Sequence, residues 1–146
     1  MVRRTGCLLL LFGLTGCAGP APVANPEKLP LRHLAILYGQ YRNSHMGKAP
    51  KDEAEFKKFL NSLDATQLAA AGLDKSEVDS MFISPRDKQP YAIRYGDAPP
   101  APGPDGPSVV VFEKQGVAGK RYVAYTTGEI EEVDEAKFQK IRFTVK

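Results

Sequence analysis

"SVVVFEKQGVAGKRYVAYTTGEIEEV", residues 108–133, is where the fold is written most plainly. Its first seven residues, Ser108 to Lys114, are nearly continuously apolar and β-branched, the composition of a strand buried on both faces, so this strand belongs in the middle of a sheet. "QGVAG" (115–119) is a glycine-bounded turn into "KRYVAYTT" (120–127), and Gly128 allows a second tight turn into "EIEEV" (129–133). Upstream, "YAIRY" (91–95) alternates Tyr91, Ile93 and Tyr95 against Ala92 and Arg94. Short strands met in sequence through tight turns pair as an antiparallel meander. "DAPPAPGPDGP" (97–107) lies between the first two; its prolines cannot donate to a ladder, so it is an exposed loop.

Outward from the strands the period changes from two to that of a helix. Leu31, Leu34, Tyr38 and Tyr41 fall on one side of a first helix, with Leu37 beside them, and "NSHMGKAP" (43–50) ends it. Asp52 and Glu55 have the spacing of a capping box, and Phe56, Phe59, Leu60 and Leu63 follow as a core stripe, with Phe59 expected against the sheet. A third helix around "ATQLAAAG" (65–72) stops at Gly72, and a second Asp-x-x-Glu start at Asp74 and Glu77 opens one or two turns carrying Val78, Met81 and Phe82. A last helix begins near Asp134 with Phe138 and Ile141 inward. The fold class is therefore α+β: N-terminal helices packed on a three- to four-stranded antiparallel β-meander, with a short C-terminal helix. At 146 residues the chain has the length of one domain.

The first 30 residues obey different rules. Arg3 and Arg4 precede an apolar stretch, Cys7 to Leu14, and then Leu14-Thr15-Gly16-Cys17. The order of positive start, apolar run and small-residue cleavage region is that of a secretion signal. As a helix, the run from Thr5 to Ala18 reaches about 21 Å, short of a hydrocarbon core of roughly 30 Å. "AGPAPVANPEKLP" (18–30) has prolines at 20, 22, 26 and 30 and few large apolar groups; extended, it reaches roughly 40 Å.

Leu14-Thr15-Gly16-Cys17 resembles the lipobox of bacterial lipoproteins, whose cysteine receives a thioether-linked diacylglycerol before the signal is cut. The resemblance implies a signal peptide over 1–16, a lipidated Cys17 with a Pro-rich tether over 17–30, and a single globular domain over 31–146. A thiolate is the side chain nucleophilic enough to take the lipid at neutral pH. Ala18 after the cysteine, rather than Asp, implies the outer membrane where the host has one. Removing 1–16 removes Arg3 and Arg4 and no acid, so the formal charge falls from +3 to +1. A near-neutral body carries no footprint for nucleic acid.

A second resemblance spans residues 31–133. The first helix running through "YRNSHMGKAPKDEAEFKKFL" (41–60), then "SPRDKQPYAIRYG" (84–96) and the closing hairpin "RYVAYTTGEIEEV" (121–133), resemble the globular domain of type II secretion pseudopilins, with Asp87, Pro90, Tyr91 and Tyr95 as the matching residues. Lys88 and Gln89 stand where that family has Trp-Gly, and a lipobox and tether stand in place of its long apolar helix. The likeness implies a pilin-like fold and, as an alternative role, an accessory component of a secretion or pilus-like machine.

Chemistry is sparse in the body. Cys7 and Cys17 are the only cysteines, so residues after 17 can form no disulfide. His33 and His45 are twelve residues apart without a zinc pattern and are expected at a helix end or surface. No nucleophile elbow, phosphate loop or dinucleotide fingerprint occurs. Glu129, Glu131, Glu132, Asp134 and Glu135 could supply acid and base for a carboxylate-dependent envelope hydrolase, but a solvated strand and a helix cap explain them more simply. Some pseudopilins bind calcium through a loop in the sheet, and Asp87, Asp97 and Asp105 fall in or beside the corresponding loops; proline crowding and the lack of Asp-x-Asp spacing argue against a metal. The six tyrosines are expected in the core with hydroxyls at its rim. The reading is a non-catalytic, lipid-anchored binding or structural module of the bacterial envelope, held to the membrane through Cys17, with a protein partner, no nucleic acid and no cofactor.

Overall fold

The run 108–133 folds as the meander that its pattern predicts. The computed structural model describes residues 25–96 and 108–143. Four strands, β1 (Ala92–Ile93), β2 (Val109–Phe112), β3 (Lys120–Tyr125) and β4 (Ile130–Asp134), pair antiparallel in the order β1-β2-β3-β4. The register sets Ala92 opposite Phe112, Phe112 opposite Val123, and Val123 opposite Glu131. An irregularity between Val109 and Val111 breaks the strict alternation of β2. Val109 belongs to one face of the sheet and the consecutive pair Val110 and Val111 to the other, which is why three adjacent valines can all be fully buried.

The face to which Val110 and Val111 belong carries the N-terminal helices. α1 (Leu29–Ser44) lays Leu31, Leu34, Ala35, Leu37, Tyr38 and Tyr41 on the sheet. It comes so close to the β3–β4 turn that a Cβ on Gly128, whose φ is +81°, would lie 2.7 Å from Ile36 Cγ1; only glycine satisfies both the turn and the helix there. α2 (Glu53–Ser62) starts at Asp52, whose Oδ1 accepts the Glu55 N–H at 2.8 Å, and buries Phe56 and Leu60. α3 (Ala65–Ala70) has a complete capping box, Asp64 with Gln67. So has the 3-10 turn Lys75–Glu77, from Asp74 and Glu77; a second such turn, Ser80–Phe82, buries Met81 and Phe82.

Two expectations shift by a few residues. The chain is already folded at Asn25–Lys28, where Asn25 accepts the Lys28 N–H at 3.0 Å, so the end of the stretch read as tether leads directly into α1. Phe59 does not reach the sheet: it is half-buried against α1, with its ring 5.2 Å from Tyr41 and 6.0 Å from His45. The stripe that points inward is Phe56, Leu60 and Leu63, and Phe59 falls to its flank because three residues turn a helix by about 300° rather than a full circle.

The second face is covered by α4 (Glu135–Phe143), whose start is held by Asp134 Oδ1 accepting the Lys137 N–H at 2.8 Å. Phe138 and Ile141 pack there on Val109, Val123, Tyr125 and Val133. The architecture is α+β, with the C-terminal helix on the opposite side from the other three. Among the described residues no helix is long and apolar enough to cross a membrane.

Candidate functional site

Cys17, the residue to which the sequence assigns chemistry, lies outside the described residues. Within them the densest polar arrangement is one that sequence reading passes over. Glu113 follows β2 and continues its alternation onto the helix-covered face, where its side chain is sealed from solvent at 1 % exposure. A buried carboxylate needs partners, and Glu113 has three. Its Oε1 accepts the Ser84 hydroxyl at 3.1 Å, its Oε2 accepts the Tyr122 N–H at 2.8 Å, and Arg86 Nη1 stands 3.9 Å from Oε2.

From there the network spreads into two loops. Ser84 Oγ, itself fully buried, accepts the backbone N–H groups of Arg86 at 3.2 Å and Asp87 at 3.3 Å, closing the turn 84–87. Arg86 donates to Glu132 Oε1 at 3.0 Å and to the carbonyls of Val117 and Lys120, each at 3.2 Å, and its guanidinium lies 4.3 Å from the centre of the Tyr122 ring. Asp87 accepts the N–H groups of Gln89 at 3.1 Å and Gly116 at 3.0 Å. Burial alone would raise the Asp87 carboxyl; the N–H groups of Gln89 and Gly116, with further hydrogen bonding from Ser84 and the Gln115 backbone, together outweigh it and hold it below the ordinary carboxylate range. Burial also pushes the Tyr91 phenol well above its usual range, keeping it neutral.

A serine beside a carboxylate suggests nucleophile and base, and the geometry answers otherwise. Ser84 and Glu113 are both enclosed, and the carboxylate already holds a backbone N–H, so no substrate reaches the hydroxyl. What the arrangement does is mechanical: one buried carboxylate and one arginine clasp the loop 83–90 to the β2–β3 hairpin.

The residues weighed in the sequence are dispersed rather than brought together. His45 ends α1 and stacks on Tyr41 at 3.9 Å, while His33 lies half-buried against Gly72, its pKa lowered by that burial. Strand alternation splits the acidic run. Glu131 faces α4, meeting Lys137 and the Tyr125 hydroxyl; Glu132 faces Arg86; Asp134 caps α4; Glu135 pairs with Arg121. Among the described residues no three His, Cys, Asp or Glu side chains are grouped to hold a metal. Asp97 and Asp105 lie outside the described residues. The tyrosines depart from expectation in one respect. Tyr125 reaches the rim, but the hydroxyls of Tyr38 and Tyr95 are buried without a hydrogen-bond partner among the described residues, and burial pushes the Tyr38 phenol up to about 12.

Two of the open hollows lie among the described residues. One of about 240 Å³ lies between the start of α1 and the β3–β4 turn, with Lys28, Arg32 and the single carboxylate Glu129 on its walls. The other, of about 380 Å³, lies over Phe59, Leu63 and Ala70, rimmed by the amides of Gln40, Asn43 and Gln67. Neither brings two carboxylates together for acid and base work. No protein-family model matches the chain, and neither a curated protein nor a solved structure matches it.

Proposed function

We propose that the protein is a lipid-anchored lipoprotein of the bacterial envelope, periplasmic or at the surface, acting as a non-catalytic binding or structural module. The observation that carries this reading is Leu14-Thr15-Gly16-Cys17 behind a basic start and a short apolar run. The enclosure of Ser84 and Glu113 and the dispersal of the acidic run support the non-catalytic half of the reading.

The test is Cys17→Ser expressed in an envelope-bearing bacterial host. Wild type is expected to enter the detergent phase on phase separation and to carry the mass of acyl chains; the variant is expected to lose the acyl mass and accumulate unprocessed or soluble. A wild-type chain without acyl mass overturns the anchor. A second role, accessory to a secretion or pilus-like machine, is favoured by the order of helix, helix and meander that the pseudopilin resemblance implies; co-purification with pilin-like subunits from solubilised envelope tests it.

A further inference from the structure

The three helices on the α1 side of the sheet leave a hollow between them. It lies over Phe59, Leu63 and Ala70, has a volume of about 380 Å³ and is rimmed by the side-chain amides of Gln40, Asn43 and Gln67. That volume falls within the span of small-molecule sites, roughly 300–1,000 Å³. No charged side chain lines it, in contrast to the hollow at the start of α1, where Lys28, Arg32 and Glu129 stand. The amides are not spent on the fold. Those of Gln40 and Asn43 have no hydrogen-bond partner among the described residues, and Gln67 uses only its Oε1, which accepts the Asp64 N–H at 3.0 Å and leaves the NH₂ group to donate. The Ser44 hydroxyl, also on the wall, is turned back on α1 and donates to the Tyr41 carbonyl at 2.9 Å.

The floor has an aromatic face to offer. Tyr41 and His45 are stacked 3.9 Å apart, and Phe59 lies 5.2 Å from the first and 6.0 Å from the second with its plane nearly perpendicular to both. Those two distances differ by far less than the stacking distance, so Phe59 stands beside the pair and takes their edges on one face. Its opposite face is left to the hollow.

From this juxtaposition we infer that the hollow binds a neutral pyranose sugar. Sugar hydroxyls, like carboxamides, give and accept hydrogen bonds without carrying charge, and the C–H face of a pyranose is apolar and stacks on an aromatic ring. A wholly apolar ligand would leave the amides around it unpaired, and a charged one would find no counter-charge on the lining. The inference rests on the reading of the protein as a non-catalytic binding module and gives that module a ligand class.

The test uses the full chain, purified in a detergent without a sugar headgroup, and cellobiose as the neutral disaccharide probe. Amide resonances of residues 40–44, 59–63 and 67–70 are expected to shift and saturate with cellobiose, equally at low and high salt, while saturation transfer marks the C–H protons of one ring face. Phe59→Leu, which keeps an apolar side chain but no ring, and Asn43→Ala, at an exposed position whose loss leaves the fold intact, are each expected to weaken binding roughly two- to tenfold. Arg32→Ala, at the other hollow, is expected to bind as wild type. No saturable shift at these residues, or wild-type binding by both Phe59→Leu and Asn43→Ala, overturns the sugar site. Shifts there that detergent alone produces and cellobiose does not alter assign the hollow to an apolar chain and overturn it equally. The parent reading fails separately: glucose released from cellobiose in the same sample would overturn the non-catalytic module, whereas an acylated chain that leaves cellobiose both intact and unbound overturns this inference alone.

Discussion

The two faces of the sheet are covered differently. On one, α1, α2 and α3 and the 3-10 turns close over a large cluster in which Leu31, Leu34, Leu37, Tyr38, Phe56 and Leu60 are wholly buried. On the other, α4 alone lays its Phe138 and Ile141 over four buried strand side chains, Val109, Val123, Tyr125 and Val133. The first face is joined by apolar contact across many elements. The second has a smaller apolar cluster, bordered by ion pairs and stacking, Arg121 with Glu135, Lys137 with Glu131, and the Arg121 guanidinium 4.0 Å from the centre of the Phe138 ring. Exposed pairs of this kind contribute little each. The lesson is that one sheet supports a global core and a local one, and that a side chain's cost depends on which of them it anchors.

Phe56→Ala should produce the largest loss. Its ring meets Tyr38 at 5.9 Å and Phe82 at 6.2 Å, so truncation opens a hole that several elements share, and about 3 to 5 kcal/mol of stability should disappear in denaturant melts. Phe59, on the flank, should lose far less.

Glu113→Ala comes next, at about 3 kcal/mol, because it strands the Tyr122 N–H and the Ser84 hydroxyl and removes the acid facing Arg86. Glu113→Gln keeps an acceptor for Tyr122 and should recover a large part of the loss. Equal losses for the two substitutions, measured by urea unfolding, would mean that charge and not hydrogen bonding holds the clasp.

Phe138→Ala tests the weaker face. A phenylalanine this buried ordinarily costs as much as Phe56, but a nine-residue helix held on one side can detach locally and so limit the penalty to about 1 to 2 kcal/mol. Hydrogen exchange checks this directly: α4 amides should exchange well ahead of those of α1, and faster still in the variant. Exchange of α4 only through global unfolding would erase the contrast between the faces.

What the sequence made legible follows the same division. Period and caps located the global core: the Leu31, Leu34, Tyr38 spacing, Asp52 and Asp74 as helix starts, and the apolar run at 108–112 as an inner strand. Phe138 and Ile141 were legible as inward, but nothing in a helical period says which face of a sheet a helix will choose. Glu113 escaped because a lone acid after an apolar run reads as the strand's exposed end; the signal available was its place in phase with Val111, blurred by the irregularity at Val109–Val111. The buried Tyr38 and Tyr95 hydroxyls escaped for a related reason, since burial of a polar tip depends on neighbours brought from other elements. The proposed anchor is the converse case, a reading that rests on the first seventeen residues alone and draws nothing from the fold.

Acid should act on the clasp. Because the folded Asp87 carboxyl sits below its ordinary value, its contribution is present above about pH 4 and is lost as pH falls through the folded value. Wild type and Asp87→Asn should therefore differ most in melting temperature near neutral pH and converge in strong acid. A gap that stays constant down to pH 2 would show that the carboxylate's charge contributes nothing to joining the loops.

The smallest expected effect is a gain. Val117 and Lys120 pair across a two-residue turn, Ala118 and Gly119, and both turn residues have positive φ, +52° and +74°. This is the geometry in which Asn-Gly or Gly-Gly is favoured, and an alanine there bears a left-handed backbone cost of roughly 1 to 2 kcal/mol. Ala118→Gly relieves that cost while adding freedom to the unfolded chain, so the net gain should be no more than about 1 kcal/mol. Two residues earlier the same pair of residue types gives the opposite sign. A Cβ on Gly116, at φ +72°, would lie 2.2 Å from the Lys120 carbonyl oxygen and 2.7 Å from Arg121 Cβ, and the Gly116 N–H is the one Asp87 accepts, so Gly116→Ala should unlatch the loops. Thermal melts of the two variants should move in opposite directions; a shift the same way in both would mean that the hairpin takes its shape from its own sequence rather than from the clasp.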